Sequence, residues 1–191
     1  MQKKTPNIYY FIDEYNIEEL TNLEKNINII FRNYEKNPRL EIIKLIKKFC
    51  KSDNRNFYIS NNIKLAIKFG LNGVYIPSFN KKINFVSKYS LPKKFEILGS
   101  AHNINEINIK KLQGCSKIFL SPLFKTSKSK SFLSIAKFNF ITLSQKSNFI
   151  ALGGINEKNY KKLKMIKIIG FASINWIKKN GLSELRPFLK I

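Results

Sequence analysis

The feature that most constrains this chain is its rhythm. Eight short apolar runs recur along 191 residues, at 8–12, 27–31, 56–59, 73–76, 95–98, 117–120, 148–152 and 167–171. Most of them do not alternate apolar with polar residues. A strand with one wet face alternates, whereas a strand buried on both faces reads as a continuous apolar run. Between the runs the period changes to that of amphipathic helices, most clearly at 41–49, 63–69, 104–112 and 158–166. Asn156, just before the last of these, is placed to act as an N-cap. Strands that alternate with helices pair in parallel, because a parallel neighbour needs a long crossover. Eight such units predict a single compact (β/α)8 TIM barrel, shorter than the usual ~250 residues. An open doubly wound sheet is the alternative. No linker or low-complexity tract interrupts the pattern, so residues 1–191 read as one domain.

Composition narrows the class. Apolar residues make up 43% of the chain, enough for a packed core. No apolar run approaches the roughly 18 residues of a membrane span. The opening run is too short, and too acidic at Asp13 and Glu14, for a secretory signal. Cys50 and Cys115 show neither metal-ligand spacing nor a disulfide framework, which predicts two free thiols in the cytoplasm. The net charge of +23 would suit a polyanion partner. Yet 31 of the 35 basic residues are lysine, and lysine, like the equally abundant Ile and Asn, has AT-rich codons. Lys44, Lys47, Lys48 and Lys51 fall at helical spacing opposite Ile42, Ile43, Leu45, Ile46 and Phe49. Lys158, Lys161, Lys162 and Lys164 repeat the arrangement, so both sets read as solvated helix faces. A nucleic-acid-binding regulatory protein would need interleaved aromatic and basic stretches, which are missing. The expected partner is a small anionic molecule, with no membrane and no nucleic acid. A homo-oligomer is compatible with the sequence.

In such barrels function lies at the C-terminal ends of the strands. The seventh ends Leu152-Gly153-Gly154-Ile155-Asn156 and the eighth Gly170-Phe171-Ala172-Ser173-Ile174, each running on into a helix. Two glycines admit a close ligand, and helix starts offer free N–H groups and a positive dipole end, so a phosphate is expected between them. A bulky residue at Gly154 is then expected to weaken phosphate binding and leave the fold intact. The sixth end, from Ser121 through Thr126, Lys128 and Lys130, alternates hydroxyls with ammonium groups, as a phosphate-covering loop would. The fifth ends Ser100-Ala101-His102, which contains the only histidine in the chain. Imidazole is the side chain suited to proton transfer near neutral pH, so His102 is the candidate acid/base. Arg32, at the end of the second strand, can pair with an anionic substrate or with a carboxylate in the barrel mouth.

In this order, these ends resemble the thiamine phosphate synthase/TenI family. Tyr9-Tyr10-Phe11-Ile12-Asp13 is similar to its opening strand, and Arg32 falls on its second-strand arginine. Ile59 to Ala66, followed by Gly73-Val74-Tyr75, resembles its third and fourth strands. Ser100-Ala101-His102, Ser121-Pro122-Leu123-Phe124-Lys125-Thr126, Ala151-Leu152-Gly153-Gly154-Ile155 and Ala172-Ser173-Ile174 resemble its later motifs.

The resemblance implies a phosphate site at Ser100, Thr126, Lys128, Lys130, Gly153, Gly154, Ala172 and Ser173. It also implies one of two activities. The synthase joins a pyrimidine diphosphate to a thiazole phosphate, using magnesium held by two aspartates. TenI-like proteins aromatise a thiazole phosphate carboxylate by moving a proton. The aspartate positions fall on Asn61 and near Asn80, and the second-strand motif carries Ile30 and Tyr34 in place of glutamine and lysine. An amide binds magnesium far less well than a carboxylate. The expected function is therefore TenI-like proton transfer on a thiazole phosphate, with no cofactor and no metal. Magnesium enters only under the synthase alternative.

Overall fold

The computed structural model describes residues 6–34, 40–127, 129, 131–174 and 176–177. Eight parallel strands close into a barrel in chain order. They are β1 (Asn7–Ile12), β2 (Ile27–Phe31), β3 (Phe57–Ser60), β4 (Gly73–Ile76), β5 (Glu96–Ala101), β6 (Lys117–Leu120), β7 (Phe149–Leu152) and β8 (Gly170–Ala172). The ring closes where Ile8 of β1 pairs with Phe171 of β8. The helices are α1 (Ile17–Thr21), α2 (Leu40–Ser52), α3 (Ile63–Lys68), α4 (Ile104–Leu112) and α5 (Ser134–Leu143). The expected barrel is thus the observed one, and the closed ring leaves no open sheet edge.

Two layers of apolar side chains hold it together. Tyr9, Phe11, Ile30, Tyr58, Tyr75, Leu98, Phe119, Ile150 and Ala172 fill the inside. The alternate residues, Ile8, Tyr10, Ile29 and Val74 among them, pack outward against Ile43 and Ile46 of α2 and Ile107 of α4. Burial on both faces is what the non-alternating runs require. At the N-terminal end, Glu96 accepts hydrogen bonds from the Tyr58 hydroxyl and the Lys117 ammonium. That satisfied network closes the bottom and leaves the opposite end as the mouth.

The structure corrects three local expectations. β5 runs on to Ala101, so Ser100 lies inside a strand. Leu45 is exposed and does not belong to the buried face of α2. No α-helix follows β7: the chain forms a 3-10 helix at Tyr160–Met165, preceded by Asn159. Asparagine side chains cause the difference, because they bond to the backbone in competition with a helix. Asn156 Oδ1 accepts from the N–H of Lys158, and Asn159 Oδ1 accepts from the N–H of Asn156. Both Nδ2 groups donate to the carbonyl of Gly154. The turn is pinned where a helix would have begun.

Candidate functional site

The inside of the barrel below the mouth is an aromatic layer. Phe11, Tyr75 and Phe119 meet edge to face, with centroids 5.2–5.8 Å apart. Such contacts place a ring's positive edge on another's negative face. The Arg32 guanidinium lies 5.0 Å from the Phe11 centroid. Arg32 makes no ion pair among the described residues. A cation held by a ring and left without a carboxylate is suited to receive an anion. Ser100 is buried, close to the Tyr75 hydroxyl of that layer.

His102 stands just past β5, with its side chain about half exposed. Its Nδ1 lies 2.9 Å from Glu106 Oε2, and its backbone N–H donates to the same oxygen at 2.8 Å. Asn103 caps α4 by accepting from the N–H of Glu106. An ionised carboxylate only accepts, so Nδ1 carries the proton in neutral imidazole and Nε2 keeps its lone pair. A base oriented through its second nitrogen is a recurrent acid/base arrangement. Glu106 was missed in the sequence, although an acid four residues after His102, in the first turn of a helix, was the available signal.

The β6 and β7 loops are packed backbone to backbone. Leu123 N–H donates to Leu152 O, and Phe124 N–H to Gly153 O. Gly153 and Gly154 have φ of +93° and +71°, where other residues are strained. A Cβ on Gly153 would lie 2.7 Å from Pro122 Cβ, and one on Gly154 would lie 2.6 Å from Lys125 O. The glycines are therefore required by loop packing, and a bulky Gly154 variant would not leave the fold intact. The N–H groups of Gly154, Ile155 and Ser173 donate to no backbone carbonyl among the described residues. The Ser173 hydroxyl donates to Ile155 O at 2.9 Å, so it ties the β7 end to the β8 end. Ala172 is buried inside the barrel. Thr126 Oγ1 accepts from the Ser129 N–H and shapes the β6 loop. Lys128 and Lys130 lie outside the described residues.

On the opposite side of the mouth, Asn80 Nδ2 donates to Asn61 Oδ1 at 2.7 Å. The pair brings together the two positions where the sequence resemblance calls for metal-binding aspartates. Asn80 Oδ1 also accepts from the N–H of Lys82, so its oxygen is engaged. Among the described residues no group of three or more His, Cys, Asp or Glu could hold a metal ion. This donor set does not fit magnesium.

Behind the pair, the ammonium of Lys110, with no exposed surface, donates to Pro77 O, Asn80 O and Gln113 Oε1 at 2.8–2.9 Å. Gln113 Nε2 donates to Asn80 O and Lys82 O. Burial pushes the Lys110 pKa down to about 8. The sequence signal was a lysine three residues after Ile107, on the core-facing stripe of α4. Lys44, Lys47, Lys48, Lys51, Lys158, Lys161, Lys162 and Lys164 are exposed or half-buried, as expected. Cys50 and Cys115 are free, and burial pushes both thiols up to about 12, so neither supplies a thiolate nucleophile at neutral pH.

Fold and mouth thus define a small parallel β/α barrel with its candidate site at the strand ends. A family model described as thiamine monophosphate synthase (TMP-TENI) matches residues 17–177, and the chain belongs to that family. A thiamine-phosphate synthase from Prochlorococcus marinus is 32% identical over 144 residues, 74% of this chain and 41% of that protein. One from Clostridium tetani is 30% identical over 140 residues, 72% of this chain and 66% of the relative. The chain thus spans less than half the length of the Prochlorococcus relative. The solved thiamine phosphate pyrophosphorylase from Pyrococcus furiosus superposes with a TM-score of 0.77 at 18% identity, covering 96% of this chain and 95% of that one. At that identity the likeness shows the fold. Among the described residues no helix is long and apolar enough to cross a membrane.

Proposed function

We propose that the chain is a metal-independent enzyme that moves a proton on a small phosphorylated heterocycle, a thiazole phosphate carboxylate, in the cytoplasm. The observation that carries this reading is the His102–Glu106 contact of 2.9 Å, which leaves Nε2 available at the rim. The base takes a ring proton at Nε2, the resulting imidazolium is stabilised by Glu106, and the proton returns at another ring position. No net oxidation or co-reactant is involved. Arg32 holds the carboxylate above Phe11, and the N–H groups of Gly154, Ile155 and Ser173 hold the phosphate, which fixes the ring for reaction.

The second reading, synthesis of thiamine phosphate from a pyrimidine diphosphate and a thiazole phosphate, is favoured by the names of the relatives. The Asn61–Asn80 pair opposes it, since it offers magnesium no carboxylate. His102→Gln tests the first reading: loss of a general base typically costs ~10²–10⁴-fold in rate. Turnover of the thiazole phosphate carboxylate should fall by that factor, while its affinity, measured by calorimetry, stays within about twofold. Native turnover by the variant, or magnesium-dependent pyrophosphate release by the unaltered protein, would replace this reading with the second.

A further inference from the structure

We propose that the outer face of α5 and its neighbours docks on an anionic lipid surface, with apolar side chains entering the headgroup region and a rim of lysines meeting the lipid charges. Among the described residues, the four most exposed large apolar side chains are Phe140 (73%), Leu143 (70%), Leu112 (64%) and Met165 (63%). They stand together. The Asn139 amide of α5 donates to Met165 O at 2.8 Å, and the Lys111 ammonium of α4, beside Leu112, donates to Gln145 just past α5. The composition of the helix makes the patch. α5 buries Phe138, Ile141 and Thr142 and exposes Ala136, Lys137, Phe140 and Leu143, so both its faces are largely apolar. An apolar stripe that faces outward on a barrel helix marks an interaction surface.

Charge selects the partner. From Ile107 to Asn156 the sequence contains no aspartate or glutamate. Exposed Lys111, Lys146 and Lys164 flank Leu112, Gln145 and Met165 in the chain, and exposed Lys137 stands one turn before Phe140. A second copy would set this rim of lysines against its own like, on chains that each carry a net charge of +23. An anionic bilayer suits both parts at once: hydrocarbon for the centre, and negative headgroups for the rim. Side chains this exposed protrude, whereas those that grip a peptide line a groove. The placement suits a working enzyme. α5 begins beside the β6 loop, where the Ser134 N–H donates to Leu123 O, and runs toward the opposite end of the barrel. Docking through its last turns leaves the mouth open to solvent. The expectation of no membrane contact rested on the lack of a spanning run, which does not bear on a helix that lies on the surface.

The test is co-sedimentation of the full chain with vesicles of phosphatidylglycerol and phosphatidylcholine in equal parts, and with vesicles of phosphatidylcholine alone. The chain should bind the mixed vesicles, lose most of that binding between about 0.1 M and about 1 M salt, and bind the neutral vesicles weakly. Phe140→Ser and Leu143→Ser should each weaken binding by about tenfold, with unchanged circular dichroism, because neither side chain reaches the core. Lys137→Ser should weaken it by about fivefold. The matched control is α2, which follows β2 and so lies across the barrel from α5, four strands away in the ring of eight. It exposes Leu45 beside Lys44 and Lys48. Leu45→Ser and Lys48→Ser should bind like the native chain. Tryptophan emission should shift to the blue on vesicles in Phe140→Trp and not in Leu45→Trp. Absence of binding to the mixed vesicles at low salt, equal losses in the α2 and α5 variants, or a native dimer that Phe140→Ser dissociates would each overturn the proposal, the last by giving the face to a second copy. His102→Gln should leave vesicle binding unchanged, since this surface is independent of the reaction proposed at the mouth.

Discussion

The two halves of the barrel mouth are built from different materials. On the β7–β8 side the groups on offer are main-chain N–H groups, held by glycines in the left-handed region and by loops packed against each other. On the β2–β4 side they are side chains: Arg32, Tyr34, Asn61, Phe79 and Asn80. A backbone site tolerates little change in sequence, because its geometry depends on residues that lack a Cβ. A side-chain site can change its chemistry one residue at a time while the strands beneath stay put. That contrast fits the sequence resemblance, in which the Gly-Gly half follows the family pattern while amides and a tyrosine, Asn61, Asn80 and Tyr34, stand on the opposite half.

The sharpest way to break the comparison is Gly154→Leu. Its Cβ would sit 2.6 Å from Lys125 O at a φ of +71°. Strained backbone costs roughly 1–3 kcal/mol and overpacking a similar amount. The variant should therefore melt well below the native chain, by several kcal/mol in a denaturant titration. Native stability would mean that the β6 loop moves freely and that the phosphate half is not backbone-built.

Ser173→Ala should have a smaller effect. It removes the 2.9 Å bond to Ile155 O and leaves that carbonyl without its partner, a loss of roughly 1–3 kcal/mol. Phosphate affinity should fall by no more than the loosened turn accounts for, because the hydroxyl is spent on the protein. A phosphate affinity loss in Ser173→Ala with native melting would instead make the hydroxyl a direct ligand.

Lys110→Met gives the smallest and most diagnostic effect, read in the pH dependence of stability. Lys110 titrates at about 8 when folded and at 10.5 when unfolded. Between those values the unfolded chain binds the extra proton, so this group's contribution to stability rises with pH across the window. Below about pH 8 the cost of burying the charge is fully present. Replacement by methionine should flatten the rise between pH 8 and 10.5, measured by denaturant titration at each pH. An unchanged slope would show that the ammonium does not carry the β4-loop clamp.

Much of this protein was legible before its structure. Runs such as 27–31 and 73–76, apolar on both faces, called for parallel strands, and β2 and β4 begin and end where those runs do. Arg32, His102, Gly153, Gly154 and Ser173 could be placed at strand ends for the same reason. The helix expected at 158–166 is a shorter 3-10 helix, Tyr160–Met165, because asparagine serves equally as a helix cap and as a turn former, and only its partners decide. Glu106 went unnoticed because its importance lies in which nitrogen of His102 it engages. Lys110 was one lysine among 31.

By itself the sequence determined the barrel, the order of its strands, the family, and the presence of amides rather than carboxylates at positions 61 and 80, since each depends on local periodicity or residue identity. Tertiary structure alone decided that Asn61 and Asn80 bond to each other, that Gly154 faces the β6 loop, and that Lys110 lies buried behind the β4 loop. Those facts depend on distances between residues 19 to 33 positions apart in the chain, or on the direction of a missing Cβ. Closure of the barrel sets both, and no local pattern encodes them.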